Sequence, residues 1–339
     1  MITARGLTRQ FPGGSRKDRP INVVDGIDIS VAPGELVGFL GPNGAGKTTT
    51  LRMLTTLLRP TTGEATVGGC DLLKDPRGVR RKIGYVAQGF GSSPQSTVAE
   101  ELEMQARLYG LTKRVARQRV AELAQRFELV GLEGRLAAKL SGGQRRRLDI
   151  AMGLIHRPEL IFLDEPTTGL DPQSRANLWD HIRYLHREEG TTVFLTTHYL
   201  EEADALCDRI LVMDNGRIVG EGSPDSLKAK ISGDNIVVEV APDHVQAVLD
   251  LVKQIVGTQD VISSRVQVQF RVQRAHSVMP ELLRTLDSAA IPTLALAVSR
   301  PTLDDVFFNL TGRSLRSAEK GILRSKETQP EEADSYVVA

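Results

Sequence analysis

Gly41-Pro42-Asn43-Gly44-Ala45-Gly46-Lys47-Thr48-Thr49 decides the fold, because it fits the spacing GxxxxGK[ST] and stands between two recognisable elements. Ahead of it, Glu35 to Leu40 is short and apolar, as a buried strand is. Behind it, a helical pattern runs from Gly46 to about Leu58 and stops before Pro60. A strand, a glycine-rich turn and a helix in that order make a phosphate cradle. The glycines let successive backbone N–H groups point inward, and the helix N-terminus adds its partial positive charge. Lys47 is then placed to reach terminal phosphates and Thr48 to ligate Mg²⁺.

Two more short apolar runs end in polar residues. Leu160 to Leu163 leads into Asp164 and Glu165, and Thr191 to Thr196 stops just before His198. Such strands are typical of parallel α/β sheets, whose ligands collect at the strands' carboxyl ends. Asp164 therefore suits the Mg²⁺ shell, and Glu165 suits a base that orients or deprotonates an attacking water. Residues 97–158, between these strands, are predicted to be a helical insertion that opens with a capping box at Thr97 and Glu100 and closes at Pro158.

Many phosphate-loop proteins share those features, and Leu140-Ser141-Gly142-Gly143-Gln144 separates the classes. With it, the chain resembles the nucleotide-binding subunit of an ABC transporter over about residues 1–225, with every motif in the family's order. The resemblance implies ATP and Mg²⁺ as cofactors. It makes Phe11 the aromatic that stacks on adenine and Gln88, in Tyr85-Val86-Ala87-Gln88, the loop glutamine near Mg²⁺. Asp171 becomes the dimer-contact loop and His198 the switch histidine at the γ-phosphate. Ser141, Gly142, Gly143 and Gln144 are implied to meet the nucleotide of a facing subunit, so that two chains sandwich two ATP molecules. A homodimer would hold two complete sites, and a heterodimer with a degenerate partner stays open.

Farther along, Arg300-Pro301-Thr302-Leu303-Asp304-Asp305-Val306-Phe307 is similar to the C-terminal segment of daunorubicin/doxorubicin-resistance-type ATP-binding proteins. That family implies a bacterial exporter of a hydrophobic drug, polyketide or lipid, with an integral membrane permease on a separate chain. Two other classes remain on the page: a soluble ABC ATPase acting on ribosomes or DNA, and a regulatory ATPase sensing a ligand through its C-terminal part.

The 339 residues, 40% hydrophobic and 25% charged, suffice for one large α/β core and a smaller domain. A net charge of +1 gives no reason to expect nucleic acid as a partner. No apolar run approaches the roughly 20 residues that span a bilayer, and residues 1–10 lack a signal-peptide pattern, so a cytoplasmic location is expected, which the resemblance narrows to the cytoplasmic face of the cell membrane. Cys70 and Cys207 stand in no metal or redox spacing and are read as reduced structural thiols. Arg145-Arg146-Arg147 is expected along a helix, solvated or pairing with nearby acids, and Glu201, Glu202 and Asp204 as an acidic helix face.

The fold expected is thus α/β, a P-loop ABC nucleotide-binding domain with a mixed sheet core at 1–225, followed by a linker at 226–232. Residues 233–312 then read as a small α+β domain of order βαββαβ, the ferredoxin-like arrangement, and 313–339 as a mobile tail.

Overall fold

A computed structural model of the chain describes residues 1–13, 20–231, 233–255, 258–273 and 275–312. The basic loop residues Arg16, Lys17 and Arg19 and the tail 313–339 lie outside them. The chain divides into two compact units, Met1–Pro224 and a second that begins at Asp225.

In the first unit, β1 (Ile2–Phe11) and β2 (Ile21–Val31) form an antiparallel pair, with Ile2 opposite Val31 and Phe11 opposite Ile21. Then come β3 (Leu36–Leu40), α1 (Lys47–Leu54), β4 (Thr62–Val67), β5 (Cys70–Asp71), α2 (Pro76–Lys82) and β6 (Ile83–Val86). The helical insertion supplies α3 (Val98–Leu108), α4 (Lys113–Arg126) and α5 (Gly142–Gly153). The unit finishes with β7 (Leu160–Asp164), α6 (Pro172–Arg187), β8 (Thr192–Thr197), α7 (Leu200–Leu206), β9 (Arg209–Asp214) and β10 (Arg217–Gly222).

These strands make two sheets. An antiparallel one has the order β2-β1-β4-β5, and the other runs β10-β9-β3-β8-β7-β6, parallel throughout except for the β10 edge. Because β3, β8 and β7 are neighbours, three segments distant in sequence end side by side: the glycine-rich turn, His198 and the Asp164-Glu165 pair. A run of buried aromatics helps hold that alignment. The Phe194 ring of β8 sits 5.7 Å from Phe39 of β3 and 5.6 Å from Phe162 of β7. Burying each contributes about 1.5–3 kcal/mol, and each ring pair adds about 0.5–1.5 kcal/mol.

The helical insertion opens as expected: the Thr97 hydroxyl accepts from the Glu100 N–H while the Glu100 carboxylate takes the Thr97 N–H. Val98, Leu102 and Ala106 turn inward. Tyr109, beyond the helix end, stacks flat on His156 at 3.6 Å.

The second unit holds α8 (Pro224–Ala229), β11 (Asp234–Val240), α9 (Val245–Val252), β12 (Gln259–Ser263), β13 (Gln267–Val272), α10 (Ala275–Ser288), β14 (Thr293–Ser299) and α11 (Leu303–Thr311). Its sheet order, β12-β13-β11-β14, is antiparallel at every pairing and is the ferredoxin-like order. Ile236, Val238, Phe270, Val248 and Leu282 form its core. The segment containing Asp304 proves to be α11, capped by Thr302 and Asp305, with Leu303, Val306 and Phe307 buried. Asp305 also pairs with the buried Arg271 of β13.

Two element ends differ from the sequence reading, and one short turn is added. α1 stops at Leu54 rather than near Leu58, because Thr56 turns left-handed (φ 65°) and the Leu57 and Leu58 N–H groups both return to the Arg52 carbonyl. Pro242–His244 forms a separate 3-10 turn ahead of α9. Residues 226–232, read as a linker, contain the end of α8.

Candidate functional site

The turn from Gly41 to Gly46 is shaped by close backbone approaches. At Gly46, φ is 108° and a Cβ would stand 2.5 Å from the Val23 carbonyl oxygen, so both conformation and space require glycine. Gly46 is the N-cap of α1 and no side chain caps that helix, which leaves the N–H groups of its first turn available to an anion. Lys47 is 4% exposed. Its ammonium donates to the carbonyls of Gly41 (2.7 Å) and Pro42 (3.1 Å) and lies 3.5 Å from Glu165 Oε1.

Thr48 Oγ1 donates to Asp164 Oδ1 at 3.1 Å, and Thr196 Oγ1 donates to the same oxygen at 2.6 Å. Burial pushes the Asp164 carboxyl above the usual aspartate range, and the Glu165 charge adds to this; the two hydroxyls only partly offset it. Around Glu165 the balance is reversed. Burial pushes that carboxyl up, but His198, Lys47 and Thr168 outweigh it and hold it below the usual glutamate range. Glu165 Oε2 accepts from Gln88 Nε2 (2.9 Å) and Thr168 Oγ1 (3.2 Å), and His198 Nδ1 lies 3.2 Å away. Gln88, Lys47, Asp164, Glu165, Thr48 and His198, spread over four segments of sequence, thus form one contact network. Glu165 is also left-handed, with φ 45°, an unusual backbone for a non-glycine residue.

An oxygen-rich corner of this kind fits Mg²⁺. Asp164 and Thr48 offer hard oxygen donors, and the raised Asp164 pKa marks a buried carboxylate short of positive charge. Among the described residues there is no group of three or more His, Cys, Asp or Glu that could hold a metal ion.

Ser141 caps α5 through a reciprocal bond pair with Gln144, and Ser141 and Gly142 are exposed. Asp171 caps α6, accepting from the Ser174 N–H and hydroxyl. The first turns of α5 and α6 lie close together, since a Cβ on Gly143 would stand 2.7 Å from Ser174 Oγ. Phe11 lies half-buried at the end of β1 with the Arg9 guanidinium 4.7 Å from its ring centre.

Two charge readings are corrected. Arg145, Arg146 and Arg147 do lie on one helix, but Arg146 is only 3% exposed and binds three carbonyls: Ala87, Asp164 and Pro166. Arg147 pairs with Glu128 as expected, and Arg145 covers Phe90. Glu202 belongs to no acidic face. It is fully buried and accepts from Thr167 Oγ1 (3.0 Å) and Trp179 Nε1 (3.2 Å). No role at the site is legible in the sequence for Thr168 or Thr196, and Arg146 reads there only as part of a basic run.

The ABC transporter family matches residues 24–168, and the C-terminal domain of DrrA1-3-like ATP-binding proteins matches residues 222–311. The daunorubicin resistance ATP-binding protein DrrA2 of Streptomyces coeruleorubidus is 43% identical, over 87% of this chain and 92% of its own. The chain belongs to the ATP-binding subunits of ABC transporters. Within that family it is of the daunorubicin-resistance type. The daunorubicin/doxorubicin resistance protein DrrA of Streptomyces peucetius is 42% identical over 96% of this chain and 97% of its own. Among solved structures, the ATP-binding cassette MJ0796, described as a dimeric post-hydrolysis state bound to ADP and Pi, shares 28% identity with a TM-score of 0.60, covering 66% of this chain and 98% of that one. As an ABC ATP-binding subunit the chain is an ATPase and the motor of a transporter that works with membrane subunits. None of its described helices is long and apolar enough to cross a membrane itself.

Proposed function

We propose that this ATPase drives efflux of a hydrophobic drug, polyketide or lipid through a separate integral membrane permease, from the cytoplasmic face of a bacterial membrane, and works as a dimer. The observation that carries the hydrolytic part is the convergence of Gln88, Thr168 and His198 on a single oxygen, Glu165 Oε2. The resistance names of its relatives support the choice of cargo.

The turn from Gly41 to Gly46 and the N–H groups of Lys47 to Thr49 at the start of α1 enclose the β- and γ-phosphates, and Phe11 stacks on adenine. Thr48 and Asp164, with Gln88 nearby, would hold Mg²⁺, which would supply charge neutralisation on the phosphates. Lys47 exchanges its carbonyl partners and its approach to Glu165 for the phosphate oxygens, a stronger anion. Glu165, released from the ammonium, takes a water proton through a carboxylate oriented by Gln88 and Thr168. His198 moves between Glu165 and the γ-phosphate, so the carboxylate and the nucleotide compete for one imidazole.

Ser141, Gly142, Gly143 and Gln144 of one chain close on the nucleotide of the other, with Asp171 at the dimer seam. Closure is favoured by ATP and reversed after hydrolysis, which is how binding energy becomes motion. Residues following Gln88 suit the permease contact: Leu108 is 74% exposed and Phe90 and Met104 are each 50% exposed, an apolar surface of the kind partners cover. Purification in mild detergent from the native host tests the assignment. A multi-span membrane protein should accompany the chain, and drug-stimulated hydrolysis should depend on it; isolation without any membrane protein would overturn the exporter reading.

A further inference from the structure

The guanidinium of Arg146 is buried without a directly bonded carboxylate. Its three nitrogens go to backbone carbonyls: Nη1 to Ala87 at 2.6 Å, Nε to Pro166 at 2.8 Å and Nη2 to Asp164 at 3.0 Å. Taking an ion of this size out of water costs several kcal/mol, and Asp149, Asp164 and Glu202 act on it only through space, so the three direct bonds need an account of their own. The acceptors supply one. Asp164 and Pro166 are the residues immediately before and after Glu165, and Ala87 immediately precedes Gln88. The same side chain therefore anchors Glu165 on both flanks, across its left-handed backbone, and anchors the base of the glutamine that donates to Glu165 Oε2.

We propose that Arg146 is a positioning residue for ATP hydrolysis, fixing Glu165 and Gln88 relative to each other and tying both to the helix that begins at Ser141. The planar fork of donors is what the task requires, because three carbonyls from two segments are met at fixed angles, which a lysine ammonium cannot reproduce. The position also has a mechanical consequence. Arg146 lies about one turn into α5, so any tilt of that helix when Ser141 and Gly142 engage a nucleotide pulls directly on the carbonyls around Glu165. A misplacement of about 1 Å at a reacting group can lower a rate by about a hundredfold.

The inference rests on the role proposed above for Glu165, and a double-substitution cycle separates the two. In the full chain, Arg146→Met should lower kcat by about tenfold or more while the Kd for ATP stays within about twofold, and Arg146→Lys should recover part of the rate. Added to Glu165→Gln, Arg146→Met should cause no further loss, since the group it positions is already absent. If the Met variant does not fold, Arg146→Lys carries the same comparison. The proposal is overturned if kcat and ATP affinity fall together, or if the Arg146 substitution lowers the residual rate of Glu165→Gln by the same factor as in the unsubstituted chain. Full activity in Glu165→Gln would instead remove the base role of Glu165.

Discussion

Thr196 holds the backbone N–H of Glu165 twice, through its carbonyl at 3.2 Å and its hydroxyl at 3.0 Å. The hydroxyl proton is at the same time given to Asp164 Oδ1. One small residue thus serves the Asp164 carboxylate and the Glu165 backbone together. Thr196→Val, which keeps the shape and removes the hydroxyl, should destabilise the chain by about 1–3 kcal/mol, measured by urea denaturation, because a buried acceptor loses its donor. It should also lower kcat more than ATP affinity. Unchanged stability and turnover would show the hydroxyl to be dispensable.

Glu165→Gln should keep ATP binding and lose hydrolysis by a factor on the order of 10²–10⁴, the usual worth of a positioned acid or base. A closed dimer trapped with ATP, seen by gel filtration, is the accompanying expectation. Lys47→Ala should instead weaken ATP binding itself, by about 1.5–3 kcal/mol for the lost charged hydrogen bonds. Equilibrium nucleotide binding distinguishes the two.

Asp164→Asn should raise the melting temperature of the nucleotide-free chain while abolishing turnover. The folded-state pKa of Asp164 is raised, so its ionised form is disfavoured on folding, and removing that charge at neutral pH relieves a cost. The rise should be roughly 2–4 °C for each kcal/mol relieved. Mg²⁺ and ATP should then stabilise the parent chain and not the variant.

For Glu165 the sign is opposite. Its pKa is lowered from 4.5, so its contribution to stability is complete above that value and is lost as the pH falls through the lower, folded-state value. Acid titration followed by circular dichroism should find that the advantage of the parent chain over Glu165→Gln shrinks below pH 4.5. A gap that widens on acidification would contradict this.

Most of the site was legible because its residues are set by spacing along the chain: Lys47 and Thr48 open a helix after a glycine turn, and Asp164 and Glu165 end a strand. Gln88 and His198 were readable only through the order of motifs. What escaped was whatever depends on burial across elements. Arg146 looks like the middle of a basic run until α5 turns it inward beneath Ala87 and Asp164, and Glu202 looks solvated until Thr167 and Trp179 close over it. The ferredoxin-like arrangement was readable from the βαββαβ succession over 233–312, but the pairing of Arg271 with Asp305 joins residues whose charge signs alone could not select each other.

That pairing predicts a local effect. Asp305→Ala removes both the Thr302 capping partner and the carboxylate facing Arg271, and should cost about 1.5–3 kcal/mol in the second unit. Nucleotide affinity should be unaffected, and a change in it would show that α11 bears on the ATP site.

The bond from Trp179 to Glu202 also gives the protein an optical label of its own. Trp179 is the sole tryptophan in the 339 residues, and its indole is tied to a buried group in the first unit. Its emission colour therefore reports the integrity of the ATP-binding unit in which it is held.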